Sequence, residues 1–221
     1  MRVSAVEPNP LLSDDPHEWE RLIESLGPAS LLVVIEDRMS AELRARLSAE
    51  DLLQDTLLHL WRDRARIEWR GPRAFRTLVL SVADNRIRDA ADHEFAAKRG
   101  GGLAAVSLDA SGSHGSRNEP GELAQPSSST PSRIAIRREQ ADAMRTALES
   151  LPEEFREIVR LRAFEQLPLD EIAQRSGLGV EAVRHRFRKG SALYARRLKS
   201  ALDTSLRSRE ITTESQASSS P

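Results

Sequence analysis

The segment from Pro168 to Lys189 constrains the fold of this chain more than any other part of it. It contains a short apolar helix, then a break at Ser176 and Gly177, then a second helix whose outward side chains are basic. Two short helices with a glycine at the turn are the sequence form of a helix-turn-helix. Glycine permits the sharp reversal because it lacks a Cβ atom. The segment therefore predicts a helix-turn-helix.

The second helix of this pair carries a face that suits DNA. Its outward basic side chains are Arg184, His185, Arg186, Arg188 and Lys189. Arginine and lysine neutralise phosphates, and arginine also reaches base edges in the major groove. This pattern predicts DNA binding. The alternative is a surface helical hairpin whose basic face is only solvated.

Charge is segregated along the chain. The formal net charge is −1 over 221 residues, yet the range 182–199 holds seven arginines or lysines and no acidic residue. A local basic face on a neutral chain fits a protein that touches DNA at one place and another partner elsewhere. The chain has no cysteine, which excludes disulfides, thiolate zinc sites and cysteine redox chemistry.

The usual sequence signals of enzymes and membrane proteins are missing. The five histidines are scattered without metal-binding spacing, and there is no nucleophile elbow or phosphate-binding glycine loop. We therefore expect no enzyme activity, cofactor, metal site or small-molecule substrate. The longest apolar run, Leu31 to Ile35, is too short to span a membrane, and the first ten residues do not form a signal peptide. A cytoplasmic protein with no membrane partner is expected.

Composition divides the chain into two helical domains and three other segments. Glycine, serine and proline dominate the middle segment, which cannot bury enough apolar surface to offset its ordering entropy. The predicted segments are a disordered N-terminal extension (1–15), a first helical domain (16–99), a flexible linker (100–132), a second helical domain (133–202) and a disordered tail (203–221). The predicted fold class is all-α, with two small helical domains.

The first domain contains a helix with an unusual polar face. Ser48 and Asp51 form a capping box, so the helix should start at about Ala49. At 100° per residue its core side gathers Leu52, Leu53, Thr56, Leu57 and Leu60. The other side gathers Asp51, Gln54, Asp55, Leu58 and Arg62, with Trp61 at the edge. Polar residues around an apolar anchor are typical of a protein docking face. An ordinary amphipathic helix with one exposed leucine fits the pattern equally well.

A second long helix is predicted from about Arg73 to Phe95. Its expected buried stripe is Phe75, Leu78, Val79, Val82 and Ala83. Its opposite face carries Thr77, Ser81, Asp84 and Arg88, with Asn85 at the margin. Asparagine and arginine make bidentate contacts to bases, so this face could read nucleic acid. A solvated polar face is the alternative.

Three motifs, in this order, resemble the bacterial sigma factors. The stretch SAEDLLQDTLLHLWR (48–62) resembles the region-two signature D-L-x-Q-[DE]-x-F-x-x-x-W, and FRTLVLSVADNRIRD (75–89) is similar to F-x-T-W-L-x-x-I-A-x-N-x-x-x-D. The stretch ALESLPEEFREIVRLR (147–162), followed by the helix-turn-helix, looks like region four. Possession of regions two and four alone, joined by a loose linker, points to the extracytoplasmic-function group.

The resemblance implies a protein that binds the beta-prime and beta subunits of core RNA polymerase and directs promoter recognition, DNA opening and transcription initiation. The residues implied to bind polymerase are Asp51, Leu52, Gln54, Asp55, Leu58 and Trp61. Those implied to bind the minus-ten element are Asn85, Arg86, Arg88, Lys98 and Arg99. The helix from Val180 to Lys189, including Glu181, would enter the major groove at the minus-thirty-five element. An anti-sigma protein would be a further partner.

The chain departs from the family pattern at the T-W-L-Y stretch, at Gly179, which replaces the usual Ser/Thr cap of the second helix, and in its rather long linker. Two other functions stay open. The family's T-W-L-Y stretch is replaced by Thr77 to Leu80, so a flipped base would have to be captured without those aromatics. One alternative function is a helix-turn-helix repressor, against which the docking face and the loose linker argue. The other is an adaptor that binds polymerase without touching DNA. Charge reversal in the second helix of the pair would separate the adaptor from a sigma factor.

Overall fold

Helices form nearly all of the structure, a computed structural model that describes residues 9–13, 15–99 and 131–217. In chain order the helices are α1 (Pro16–Ser25), α2 (Pro28–Arg38), α3 (Ala41–Arg44), α4 (Ala49–Arg62), α5 (Pro72–Arg99), α6 (Pro131–Glu149), α7 (Glu153–Val159), α8 (Leu169–Ser176) and α9 (Val180–Ala217). Two 3-10 turns (Pro10–Leu12 and Arg64–Arg66) and a π-helical turn (Arg160–Phe164) complete the described elements. These ranges contain no strand, which confirms the predicted all-α class.

Helix α4 begins where the capping box predicts. The Ser48 hydroxyl accepts a hydrogen bond from the Asp51 backbone N–H at 3.1 Å and donates to the Asp51 carboxylate at 2.7 Å. The predicted core side is buried except for Leu57, which is half-buried. Thr56 is fully buried, and its hydroxyl donates to the Leu52 carbonyl at 2.7 Å, so the one polar group on this side is satisfied.

Helix α5 is longer than expected and its buried stripe is rotated. The stripe contains Phe75, Val79 and Ala83 as predicted, but also Leu80, whereas Leu78 and Val82 are only half-buried. The rotation places the arginine at position 76 in the interior, where it is 2% exposed. Helical periodicity does not anticipate a buried arginine, because charged side chains are almost never buried without partners.

The helix-turn-helix forms as predicted from α8 and α9. Gly177 ends α8 with φ of 67°, in the left-handed region that favours glycine. Ile172 on α8 and Val183 on α9 are both fully buried, and they hold the two helices together across the turn. Helix α9 begins at Val180, directly after Gly179.

The two helical domains contact each other. The first comprises α1 to α5, and the second comprises α6 to α9. Helix α2 packs against α4 and α5 within its own domain and also against α6 of the other domain. One hydrophobic core therefore extends across both domains, from Leu31 on α2 to Leu148 and Phe164 in the second domain. The sequence predicts two domains but contains no local sign of this contact.

The described helices extend beyond the predicted domain boundaries at both ends. Residues 9–13 belong to the structure instead of a disordered extension, because Leu11 in the first 3-10 turn is 1% exposed. Helix α9 continues to Ala217, whereas the sequence predicts that the second domain ends at residue 202. Helix α6 already starts at Pro131, inside the predicted linker. The rest of that linker (100–130) and residues 1–8 lie outside the described residues.

Candidate functional site

Most residues of the predicted docking face on α4 are accessible at the surface. Asp51, Gln54 and Asp55 are exposed, and Leu58 is half-buried without joining the hydrophobic core. Leu52, which the sequence also assigns to this face, is 3% exposed and lies in the core. The Leu52 side chain therefore faces the core in this structure, and its assignment as a docking residue stays a prediction. Leu52 supports the helix from below.

Trp61 is less accessible to a binding partner than its position at the edge of the predicted docking face suggests. Its ring contacts Trp19 of α1 edge-on, with centroids 5.1 Å apart, and the Arg64 guanidinium lies 3.8 Å from its ring centroid. Trp19 also contacts Phe75, at 5.9 Å. Trp61 is thus part of an internal aromatic cluster as well as of the surface. Sequence reasoning missed Trp19, because nothing local relates a residue on α1 to one on α4.

An ion pair connects the predicted polymerase face with the predicted minus-ten helix. Arg86 on α5 donates to the Asp55 carboxylate on α4. The Asp55 side chain is 51% exposed and that of Arg86 is 25% exposed, so the carboxylate can still reach a partner from outside. The Arg86 Nε group is buried and has no hydrogen-bond partner among the described residues. Asp55, predicted to bind polymerase, and Arg86, predicted to bind the minus-ten element, are therefore in direct contact.

The remaining minus-ten candidates form a small polar group on α5. Arg88 donates to the Asn85 side-chain carbonyl at 2.8 Å, and both residues are exposed. Asp89 and Asp92 are exposed on the same helix, so this face carries both signs of charge. Helix α5 extends to Arg99, but the side chains of Lys98 and Arg99 lie outside the described residues.

The predicted minus-thirty-five residues occupy the first turns of α9. Arg184, His185, Arg188 and Lys189 are exposed, while Arg186 is half-buried. Arg184 donates to the Glu181 carboxylate, and an Arg188 guanidinium nitrogen lies 3.5 Å from the His185 Nδ1 atom. Both contacts are between residues three apart on one helix. Val180, also predicted to contact DNA, packs partly against the helix-turn-helix core.

Gly190 determines how closely α9 approaches α7. A Cβ atom at this position would lie 2.8 Å from Val159 Cγ2 and 2.9 Å from Phe155 Cβ. Only glycine fits this crossing without displacing a neighbour. Sequence reasoning missed its role, although a glycine inside a helical pattern is a signal of close packing. Gly190 directly follows Lys189, so this crossing lies next to the basic face.

Further features of the described residues concern metal binding, membrane-spanning helices and cavities. They contain no group of histidine, aspartate and glutamate side chains that could hold a metal ion. None of their helices is both long enough and apolar enough to cross a membrane. A polar cavity of about 430 Å³ lies between α2, the segment joining α3 to α4, and α6. Carboxylates and guanidinium groups from both domains line it.

Comparison with known proteins identifies both domains. Residues 38–94 match the family model for sigma-70 region 2, and residues 141–192 match the family model for sigma-70 region 4. No curated protein matches the chain. A solved structure of CnrH in complex with the cytosolic domain of CnrY is 18% identical, covering 88% of this chain and 93% of that chain, with a TM-score of 0.33. At that TM-score the likeness supports no argument about this chain.

Proposed function

The chain belongs to the sigma-70 family, and from this premise we propose that three of its helices divide the work of promoter recognition. It is a sigma factor that directs promoter recognition and transcription initiation. Its regions imply core RNA polymerase and promoter DNA as partners. The observation that carries the proposal is the exposed basic face on the first turns of α9, within the matched region 4.

Helix α4 is the proposed polymerase-binding element. The supporting observation is a face on which exposed carboxylate and amide groups surround the half-buried Leu58 and Trp61. Such a combination suits a protein interface, where an apolar anchor is desolvated and polar groups surround it. The proposed contacts are Asp51, Gln54, Asp55, Leu58 and Trp61, directed to the beta-prime subunit.

Helix α5 is the proposed minus-ten element reader. Asn85 and Arg88 are joined by a hydrogen bond and exposed together, and each type of side chain can bind base edges. Arg86 can join them only by leaving the Asp55 carboxylate or by sharing it. Thr77 to Leu80 supply no aromatic ring for a flipped base, so a flipped base would have to be captured by other side chains.

Helix α9 is the proposed minus-thirty-five reader. Arg184, His185, Arg186, Arg188 and Lys189 would reach phosphates and bases in the major groove. A single helix-turn-helix binds weakly at physiological salt, since most of its affinity comes from a few phosphate contacts. We therefore expect the free protein to bind promoters poorly. Polymerase would make binding specific by holding the two domains at the right distance, which raises the effective concentration of the second site.

Several finer assignments accompany this proposal. The presence of regions 2 and 4 supports membership of the extracytoplasmic-function group. We propose that the protein acts in the cytoplasm and has no catalytic activity of its own, as is general for sigma factors. An anti-sigma protein stays a predicted partner, and the beta subunit a predicted second contact.

Run-off transcription tests the proposal directly. Purified core polymerase would be assayed with and without the protein on a library of genomic promoters. New discrete start sites that share two short upstream motifs are the expected result. A charge-reversed α9 (Arg184→Glu with Arg188→Glu) should abolish these starts while polymerase binding persists in a pull-down. Starts that survive this change would favour the adaptor, and promoter binding that needs no polymerase would favour the repressor.

A further inference from the structure

We propose that Arg86 serves the polymerase-binding face instead of reading the minus-ten element, and that it orients the Asp55 carboxylate for its partner. Arg86 lies on α5 and Asp55 on α4, and the two side chains form an ion pair between these helices. The inference rests on the proposed function, because it specifies how α4 binds core polymerase. It gives Arg86 a positioning role and no contact with DNA.

Helix geometry turns Arg86 away from the other minus-ten candidates. Seven residues make almost two full turns of a helix, so Arg86 lies on the same side of α5 as Val79, which is fully buried. At about 100° per residue, Asn85 lies about 100° and Arg88 about 160° around the helix from Arg86. Asn85 and Arg88 are exposed, whereas Arg86 is half-buried. Arg86 is therefore a polar member of the inner side of α5.

The burial of the Arg86 guanidinium restricts where this group can reach. The Arg86 side chain is 25% exposed. Its Nε atom is buried and has no hydrogen-bond partner among the described residues, while a terminal nitrogen donates to Asp55. A buried N–H group without a partner lowers stability, so its presence in a folded protein calls for an explanation. The orientation of Asp55 supplies one.

Asp55 is placed to accept hydrogen bonds from Arg86 and from a partner at the same time. Its side chain is 51% exposed. The Oδ2 atom accepts the bond from Arg86, and in the described part of the chain Oδ1 has no hydrogen-bond partner. Each carboxylate oxygen has two lone pairs, so a second donor can bind without displacing Arg86. Asp55 therefore offers an anion that is already oriented.

The position of Asp55 on α4 puts this anion beside the apolar anchor of the docking face. Leu58 follows Asp55 by three residues, and residues at this spacing are neighbours on the surface of a helix. Leu58 is half-buried and lies outside the hydrophobic core. A fixed anion beside an apolar anchor suits a partner that brings a basic side chain next to an apolar one. Because preorganisation reduces the entropy lost on binding, removal of Arg86 should weaken binding without the loss of a direct contact.

Binding to core polymerase in the absence of DNA tests this inference. Arg86→Gln removes the cation but keeps a polar side chain, and it should weaken core binding about tenfold. Arg86→Lys retains the positive charge and should keep most of the affinity. The matched control is Arg70→Gln, which makes the same change in an exposed ion pair with Glu68 and should leave core binding unchanged. Titration of core polymerase with fluorescently labelled full-length protein measures the affinity of each variant.

A double-mutant cycle separates a positioning role from a purely structural one. In the Asp55→Asn background, Arg86→Gln should cause less than about a twofold further loss of core binding, because the anion that Arg86 orients is already gone. A purely structural Arg86 would cause the same loss in both backgrounds, and that result would overturn the inference. Circular dichroism and urea unfolding of each variant measure the helix content and the free energy of unfolding separately.

Base preference at the minus-ten element provides an independent readout. Each variant is saturated with core polymerase and bound to a promoter library that carries all four bases at every minus-ten position. Arg86→Gln should show the same preferences as the original protein, whereas Arg88→Gln should change them. A changed preference at one position in Arg86→Gln would identify Arg86 as a base reader and overturn the inference.

Nitrogen-15 NMR of the free original protein covers the case in which Arg86→Gln does not fold. The buried Arg86 Nε–H should exchange with water at least about tenfold more slowly than the Nε–H of the exposed Arg88. Arg86→Lys identifies the signal, because this variant lacks it. Equally fast exchange at both residues would show that Arg86 is not held in the described position, and would overturn the inference.

Failure of the inference differs from failure of the proposed function. Normal core binding that does not respond to Arg86→Gln would overturn the positioning role alone and leave the proposed roles of the three helices intact. Absence of core binding by the original protein would refute the polymerase face on α4, and the positioning role of Arg86 with it.

Discussion

Helices α4 and α9 both present proposed binding faces, but their side chains are held in different ways. On α4, Asp55 is paired with Arg86 of another helix, and Trp61 packs against Trp19 of a third. On α9, the contacts of the basic residues are local: Arg184 pairs with Glu181, and Arg188 lies beside His185. A change on α4 therefore disturbs the first domain as well as the interface. A change on α9 alters mainly the charge offered to DNA.

The largest expected effect is on the α4 side of this comparison. Asp55→Arg should weaken binding to core polymerase by about 2 kcal/mol or more, as expected for a residue at the centre of an interface. It also places a second cation beside Arg86. Titration of core polymerase with fluorescently labelled protein measures the loss of binding free energy. DNA binding by α9 should be unchanged, and Asp55→Asn should give a smaller loss. Equal polymerase affinity in the original protein, Asp55→Arg and Asp55→Asn would show that Asp55 is not part of the interface.

Arg186→Ala tests the reading of bases by α9. If Arg186 contacts a base, the change should cost about 1–3 kcal/mol of promoter binding and relax specificity at one position of the minus-thirty-five element. Promoter-library binding by the polymerase complex measures both quantities. The control is Arg196→Ala, which removes an exposed arginine on the same helix beyond the helix-turn-helix. A uniform loss across all sequences would identify Arg186 as a phosphate contact instead.

Gly190→Ala examines how the scaffold positions α9. The added Cβ atom meets Val159 and Phe155 at distances shorter than normal contacts, so either α9 or α7 must shift. Overpacking of this kind costs about 1–3 kcal/mol, and the better helix propensity of alanine offsets part of it. Urea unfolding measures the change in the free energy of unfolding. A stabilised protein with unchanged promoter binding would show that the crossing is not tight in solution.

Glu181→Gln should have the smallest effect, and it should strengthen promoter binding instead of weakening it. The change releases Arg184 from an exposed ion pair with its neighbour on α9. Promoter affinity should rise by about two- to fivefold at low salt, since an exposed pair of this kind is weak. The dependence of affinity on salt should become steeper by about one phosphate contact. Reduced affinity would mean that Glu181 itself accepts a hydrogen bond from a base.

Sequence predictions succeeded where the interacting residues are close together along the chain and failed where they are far apart. The α4 start at Ala49 and the Gly177 turn were predicted because caps and turns involve residues a few positions apart. The burial of Leu52 was not anticipated, because the family motif does not distinguish a residue that supports the face from one that forms it. The buried stripe of α5 was rotated for a related reason. Its true inner side depends on which helices cover it, and α5 alone does not contain that information.

Local patterns in the sequence determined the all-α class, the helix-turn-helix and the polar faces of α4, α5 and α9. The tertiary structure alone decided that Arg76 is buried, that Trp61 has an internal partner and that α6 covers α2. Arg76 reaches carbonyl groups 50 and 88 residues away along the chain. Periodicity describes which side of a helix is apolar, but not which distant element will cover it. The physical reason is that burial of a charge or an aromatic ring depends on packing, which is set by the whole chain.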